Sequence, residues 1–290
     1  MSFSHPFRGR SGEEASRAVG DYHLSETDLR RIVARGADML GVELGSTKRP
    51  MVYSRLSRRL RELDLPSFTA YLDFLDTPAG AAEHQNFTNA LTTNLTSFFR
   101  EAHHFEHLER EIQRRPADDP TRRFRVWSAG CSTGEEPYSI AFILYSQAEM
   151  LAGRERRILA TDIDTDVLER AMRGVYTPDR ARAVPMRFRG VPFLTRCADG
   201  MSIGDPIRDL VVFRTLNLIE PLPFRAPFDV IFCRNVLIYF TTEMRAIIID
   251  RMAGLLRPGG LLYLGHSESL LVPHPLLEAE GQTIYRRRWR

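Results

Sequence analysis

A run of small residues, Ser128, Ala129, Gly130, Cys131, Ser132, Thr133 and Gly134, leads directly into two carboxylates, Glu135 and Glu136. Phe124, Val126 and Trp127 precede it as a short apolar run, and Ile140, Ile143 and Leu144 follow at helical spacing. Strand, glycine turn and helix in that order make the opening unit of a nucleotide-binding α/β sheet. Gly130 and Gly134 let the backbone bend sharply and let a ligand approach without meeting a Cβ. Pro137 suits the first helical turn, where its missing N–H has no partner to lose. The glycines are spaced G-x-x-x-G, not the G-x-G-x-x-G that grips a dinucleotide.

Two carboxylates at the start of a helix repel a pyrophosphate, so the turn favours a cationic or neutral ligand. S-adenosylmethionine, with a sulfonium, an ammonium and no phosphate, meets that description. The same stretch also reads as an ordinary strand-to-helix turn whose glutamates stabilise the helix dipole. Taken alone, it admits both. A second acid, Asp162, ends the run RILATDID, where sheets of this kind hold a ribose through its hydroxyls. Asp162 also reads as a simple helix cap, although Asp164 is the better cap for the helix that follows. Arg234 and Asn235 stand at the carboxyl end of a further strand, Phe228 to Cys233, the edge at which open α/β sheets bind ligands.

These residues need a sheet to hold them, and the chain is long enough for one. It has 290 residues, 43% hydrophobic and 27% charged, which suits one large or two moderate soluble domains. A formal net charge of +3 is too small to imply nucleic-acid binding. No apolar run approaches the ~20 residues of a membrane span, and no signal-peptide core is visible. Cys131, Cys197 and Cys233 are far apart, which predicts no disulfide framework and no zinc site, and points to a reducing cytoplasm.

Residues 1–22 are polar and aperiodic and read as a flexible tail. Residues 23–92 read as a helical domain. One helix begins at Ser25, a second covers about Val52 to Leu63, a third follows Ser67, and a fourth holds Phe87, Ala90 and Leu91. The second helix gathers Arg55, Arg58 and Arg59, either a solvated face or a docking surface for an acidic helical partner. Residues 93–122 read as a linker helix capped by Thr96 or Ser97 and carrying Phe98 and Phe99. Residues 123–290 read as the α/β domain, with an insertion at about 175–209 that lacks helical periodicity. The expected strands are Arg157 to Asp164, Val211 to Leu218, LLYLGHSES and GQTIYRRRW, and the arginines 286–288 and 290 read as solubilising.

The segments TTNLTSFFRE, VWSAGCSTGEEPYSIA, ATDID and FDVIFCRNVLIYF, followed by LRPGG and GHSES, closely resemble the CheR-type chemotaxis receptor methyltransferases. The resemblance spans roughly residues 25 to 285 in content, order and spacing. It implies a class I S-adenosylmethionine-dependent methyltransferase sheet, Rossmann-like, with an all-helical N-terminal domain and a small inserted β-subdomain. It further implies methyl esterification of glutamates on chemoreceptor cytoplasmic helices. Carried over by motif, Asn94, Thr96 and Arg100 line the cofactor site from the linker and Gly130 from the glycine turn. Glu136 meets the cofactor's polar end and Asp162 its ribose. Asn217 and Leu218 flank the adenine, Arg234 and Asn235 complete the pocket, and Tyr239 faces the reacting methyl. Arg55, Arg58 and Arg59 correspond to the surface that docks the receptor. In some members the inserted subdomain captures a receptor C-terminal peptide, for which Arg196 and Gly200 are the candidates here, in a loop that departs from the pattern.

A glutamate acceptor is consistent with the residues. With a reference pKa of about 4.3 it is already an anion at neutral pH, so no general base is required. Arg100 and Tyr239 then serve to orient it for in-line attack. Three alternatives remain at this level. They are transfer to another protein or a small carboxylate, a cofactor-binding regulator without turnover, and, more distantly, an NAD-dependent oxidoreductase.

Overall fold

The computed structural model describes residues 22–42, 48–114, 123–151, 155–270 and 272–289. The tail expected over residues 1–22 lies, apart from Tyr22, outside these, as does most of the connection RRPADDPTRR.

Four helices come first: α1 (Glu26–Leu40), α2 (Arg49–Glu62), α3 (Phe68–Leu75) and α4 (Glu83–Leu91). The Ser25 hydroxyl accepts from the Asp28 N–H and opens α1, and Gly41 closes it in the left-handed region. Ile32, Leu56, Leu60, Phe68, Tyr71 and Phe87 are fully buried between the four. Each is worth roughly 1.5–3 kcal/mol of burial, so this small unit has a core of its own. A polar clamp crosses it. Arg59 binds both carboxylate oxygens of the buried Glu83, at 2.7 and 2.6 Å, and the Tyr71 hydroxyl donates to the same group.

The linker differs from expectation. Helix α5 (Ala102–Arg114) starts after Glu101, not at Thr96 or Ser97. Phe99 and Glu101 hold φ values of 52° and 55°, so the chain turns twice before the helix begins. The turn sends the phenylalanines into the sheet domain. Phe98 meets Tyr176 edge-on at 4.8 Å, and Phe99 stacks on Phe188 at 5.5 Å. Aromatic packing outweighs the local helical pattern.

The second unit begins with β1 (Phe124–Ala129), α6 (Glu135–Ser146), β2 (Arg156–Asp162) and α7 (Thr165–Arg173). The insertion follows as β3 (Val175–Tyr176), α8 (Pro178–Ala181), β4 (Leu194–Cys197), β5 (Gly200–Ile203) and α9 (Asp205–Arg208). Its strands form a separate antiparallel sheet in the order β3-β5-β4. The chain returns through β6 (Val211–Thr215), β7 (Phe228–Cys233), α10 (Thr242–Leu255), β8 (Leu256–Leu264), β9 (Leu277–Gly281) and β10 (Ile284–Arg287). The main sheet has the order β6-β2-β1-β7-β8-β10-β9, with β10 antiparallel to both neighbours. Strand β7 is buried along its whole length, as a central parallel strand covered on both faces must be. One face carries Phe105 and Leu108 of α5 with Phe142 of α6, and the other Ile248 and Met252 of α10.

Several boundaries move. Strand β2 stops at Asp162, and β6 stops at Thr215, before Asn217 and Leu218. LRPGG, expected to end a helix, is the first part of β8, while GHSES lies in the loop beyond it. Gly259, at φ 74°, makes this possible, since a Cβ there would stand 2.5 Å from the Trp289 ring. Strand β9 was not expected, because only Leu277 of LEAEG is buried. The arginine tail is structural where it is described. Arg286 pairs with Glu111 at 2.7 Å and with Glu280, and Arg287 donates to the Gly254 and Leu256 carbonyls. Among the described residues, no helix is long and apolar enough to cross a membrane.

Candidate active site

A cavity opens at the carboxyl ends of β1, β2, β6 and β7, closed over by residues of the helical unit and the linker. It encloses about 1070 Å³ of space outside the atoms, part of it open to solvent. All the residues assigned above to cofactor or methyl transfer border it. Asn94, Thr96 and Arg100 come from the linker, Gly130, Glu136 and Asp162 from the first two strand ends, and Asn217 and Leu218 from beyond β6. Arg234, Asn235 and Tyr239 come from the loop after β7.

Gly130 bends the backbone as expected and lines the cavity, and it also makes room for a neighbouring loop. At φ 78° a Cβ on it would stand 2.3 Å from Val236 Cγ2, so the glycine lets the β7 loop close onto the β1 loop. Gly134 likewise gives way to Ala171 and the Tyr176 hydroxyl, both 2.8 Å from its missing Cβ.

The paired glutamates also separate. Glu135 is fully buried away from the cavity, bound to the Thr133 hydroxyl at 2.7 Å and paired with Arg180 at 3.0 Å. Glu136 accepts from the Ser128 hydroxyl at 2.7 Å and pairs with Arg234 at 3.1 Å. Burial raises both carboxyls, the Thr133 hydroxyl and then Arg180 opposing the rise at Glu135 and Arg234 opposing it at Glu136. The two charges are therefore largely compensated, and the repulsion argued from sequence is weaker than their number implies. Asp162 is the acid without a cation. Its oxygens accept the Ser132 N–H at 2.8 Å and the Asp164 N–H at 3.0 Å, and among the described residues it has no ion pair. Burial pushes it up to about 6 against those N–H groups. A carboxylate has about four acceptor positions, so two remain for hydroxyl donors. Asp164 caps α7 through the Asp166 and Val167 N–H groups.

Three asparagines spend their amides on the protein. Asn94 donates to Asp164 at 2.7 Å and to the Thr92 hydroxyl at 3.1 Å. Asn217 donates to the Met39 carbonyl at the end of α1, and Asn235 to Glu101. They shape the walls of the cavity and tie its elements together. Arg234 is buried between Glu136 and Glu101, at 3.1 and 3.3 Å, and donates to the Arg100 carbonyl. It is an internal cation that fixes linker to sheet. Burial alone would raise Glu101, but Arg234, with hydrogen bonds from His266 and Asn235, brings it down to about 2.

Three other lining residues, Arg100, Lys48 and Tyr239, are less committed. Arg100 donates to the Leu95 carbonyl at 3.0 Å and has no ion pair among the described residues. Lys48 lies 4.5 Å above the Tyr239 ring, and the Tyr239 hydroxyl has no hydrogen bond among the described residues. Lys48, Ser132, Glu101 and Glu268 take part in the site without being singled out by the sequence. Glu268, in GHSES, accepts the N–H groups of Asn235, Ile238 and Gly265 at 2.7, 3.2 and 2.6 Å, and so fixes the β7 loop. Only its place in a motif segment pointed to it.

Of the three arginines assigned to docking, Arg58 is two-thirds exposed. Arg59 is held by Glu83 and Glu62, and Arg55 turns inward to the Ala90 and Thr92 carbonyls at the end of α4. Arg196 is exposed on β4, while a Cβ on Gly200 would stand 2.4 Å from the Tyr176 carbonyl, so that glycine serves strand pairing.

Residues 94–285 match the family model described as CheR methyltransferase, SAM binding domain, and residues 27–92 match CheR methyltransferase, all-alpha domain. The chain belongs to the CheR methyltransferase family. Chemotaxis protein methyltransferase 2 of Pseudomonas aeruginosa is 42% identical to it over 275 residues, 91% of this chain and 94% of that one. The chemotaxis protein methyltransferases of Salmonella typhimurium and Escherichia coli are each 42% identical, over 266 and 272 residues. Those matches cover 90% of this chain in both cases, and 90% and 91% of the relatives. This CheR-family chain is a methyltransferase, and S-adenosylmethionine is its methyl donor. The residues fit that donor. Asp162, an acid with no ion pair among the described residues, lines the cavity, and the glycine turn, residues 128–134, carries no cation for a phosphate.

Proposed function

We propose that the chain methylates glutamate side chains on the cytoplasmic helices of chemoreceptors, forming methyl esters that adapt chemotaxis signalling. The observation that carries this reading is that Arg100, Lys48 and Tyr239, all half-buried, line the same cavity. Three donors with no carboxylate partner among the described residues suit an acceptor that arrives as an anion. Bound S-adenosylmethionine supplies an electrophilic methyl on a sulfonium.

Asp162 takes the ribose hydroxyls through its two remaining acceptor positions. Asn94, Thr96 and Gly130 form the wall beside it, and Leu218 with Asn217 forms the apolar side for the adenine. Glu136, Arg234 and Asn235 make the base of the pocket, and their mutual pairing keeps it in place before any ligand enters. Arg100 orients the incoming carboxylate, and Tyr239 donates one hydrogen bond to it. No residue has to remove a proton, since the acceptor is ionised at neutral pH. The receptor helix runs along the exposed face of α2, where Ser54, Arg58 and Arg61 face outward, and the positive charge there raises the encounter rate with a glutamate-rich surface. The relatives are named chemotaxis protein methyltransferases, which supports a place in chemotaxis for the methylated protein.

The test uses methyl-labelled S-adenosylmethionine with a purified chemoreceptor cytoplasmic fragment. Base-labile label, released as methanol in alkali and lost in Arg100→Ala, is the expected result. Transfer that survives alkali, or label found only on small carboxylates, would overturn the assignment of the acceptor. Binding of S-adenosylhomocysteine without any transfer would favour a regulator.

A further inference from the structure

Where α5 begins, Glu101, His103 and His104 present a carboxylate oxygen and two imidazole nitrogens within 4.8 Å of one another. Nothing in the methyl-transfer reading uses the two histidines. We propose that these three residues form a binding site for a zinc-type transition-metal ion.

The argument starts at His104, which is fully buried. Its Nε2 faces the Gln282 carbonyl at 3.1 Å and the Thr283 hydroxyl at 3.2 Å, and that hydroxyl spends its own proton on the Leu264 or Gln282 carbonyl. A carbonyl only accepts, so this network assigns the proton to Nε2 and leaves a lone pair on Nδ1. That lone pair points at a carboxylate. Nδ1 lies 3.6 Å from Glu101 Oε2, and neither atom makes a hydrogen bond among the described residues. Two buried acceptors facing each other are unfavourable as they stand. Their separation is close to the ligand-to-ligand distance around a tetrahedral ion with bonds of about 2.0–2.2 Å.

His103 is partly exposed and stacks beside His104 with ring centroids 4.0 Å apart, which gives an ion a route in from solvent. Arg234 also approaches Glu101 Oε2, at 3.3 Å, but it is shared with Glu136. One arginine set against two carboxylates leaves room for further positive charge. The backbone contributes as well. Phe99 and Glu101 occupy the left-handed region, and this turn brings the Glu101 side chain back onto a residue three positions ahead. Two imidazoles and one carboxylate are the donor set of zinc-type ions, in place of the all-oxygen set of calcium or magnesium.

The experiment takes the full chain without an affinity tag. Zn²⁺ is titrated in competition with a chromogenic chelator, and Co²⁺ is followed by its visible absorption. One ion per chain is expected, with affinity weakened at least about tenfold in His103→Ala and in His103→Gln. Binding of S-adenosylhomocysteine, measured on the same samples, is expected to be unchanged and reports that both variants are folded. The absence of saturable binding would overturn the proposal. So would ion affinity that is equal in wild type and both variants, since the ion would then sit elsewhere, for instance on a cysteine.

Discussion

Asp162 is the residue whose charge state most directly links the fold to ligand binding. It titrates near 6, above the ordinary aspartate value of 3.8, because it is buried. The native state therefore holds a proton more readily than the unfolded chain between those two values. Stability from this group is fully present at low pH and falls as pH rises through the window, by roughly 2–3 kcal/mol at most. Ligand hydroxyls reverse that preference, because they donate to the ionised form. The affinity for S-adenosylhomocysteine should accordingly rise as pH is raised from about 5 to about 7, levelling off above the folded pKa. Calorimetry across that range checks it, and in Asp162→Asn the dependence should flatten. A flat wild-type profile would remove Asp162 from the ribose. This residue was legible in the sequence from its place at a strand end. Glu101 was not, because it reads as one more polar residue on a helix until two left-handed residues turn it inward toward Arg234.

At the scale of elements, the loop after β7 is held by a residue thirty positions further along the chain. Glu268 is buried and binds three backbone N–H groups, at Asn235, Gly265 and Ile238. Glu268→Ala leaves those donors unsatisfied, at a cost of roughly 2–4 kcal/mol. It should also lower kcat more than it weakens cofactor binding, since Tyr239 moves with the loop. Denaturant melts and steady-state kinetics on the same variant check both, and an unchanged kcat would disprove the coupling. The strands of the parallel sheet were legible because buried runs such as FDVIFC have no competing reading. The linker helix and β9 were not. The first loses its N-terminal turn to aromatic packing that local pattern does not encode, and the second has only Leu277 facing inward. The helix α2 shows the same limit. Its arginines are visible in the sequence, but which of them face solvent depends on where Glu83 and the end of α4 lie.

That difference separates two effects at the scale of the whole molecule. Arg58→Glu should raise KM for a receptor fragment several-fold, more at low salt than at high, and leave Tm unchanged. Arg59→Ala should instead lower stability by roughly 3 kcal/mol, because Glu83 is then a buried charge without its partner. Paired thermal melts and salt-dependent kinetics distinguish them, and similar behaviour of the two variants would refute the assignment of faces. The sheet order carries a consequence for how the chain reaches this state. Strand β10 lies between β8 and β9, although it follows both in sequence. During synthesis β8 therefore exposes one edge, with Leu261, Leu262 and Tyr263 behind it, until residues 284–287 have emerged and paired. Closure of the sheet is a late event that cannot proceed strand by strand from the N-terminus. Pulse-labelled hydrogen exchange during refolding should find the outer amides of β8 protected together with those of β10, and never before them.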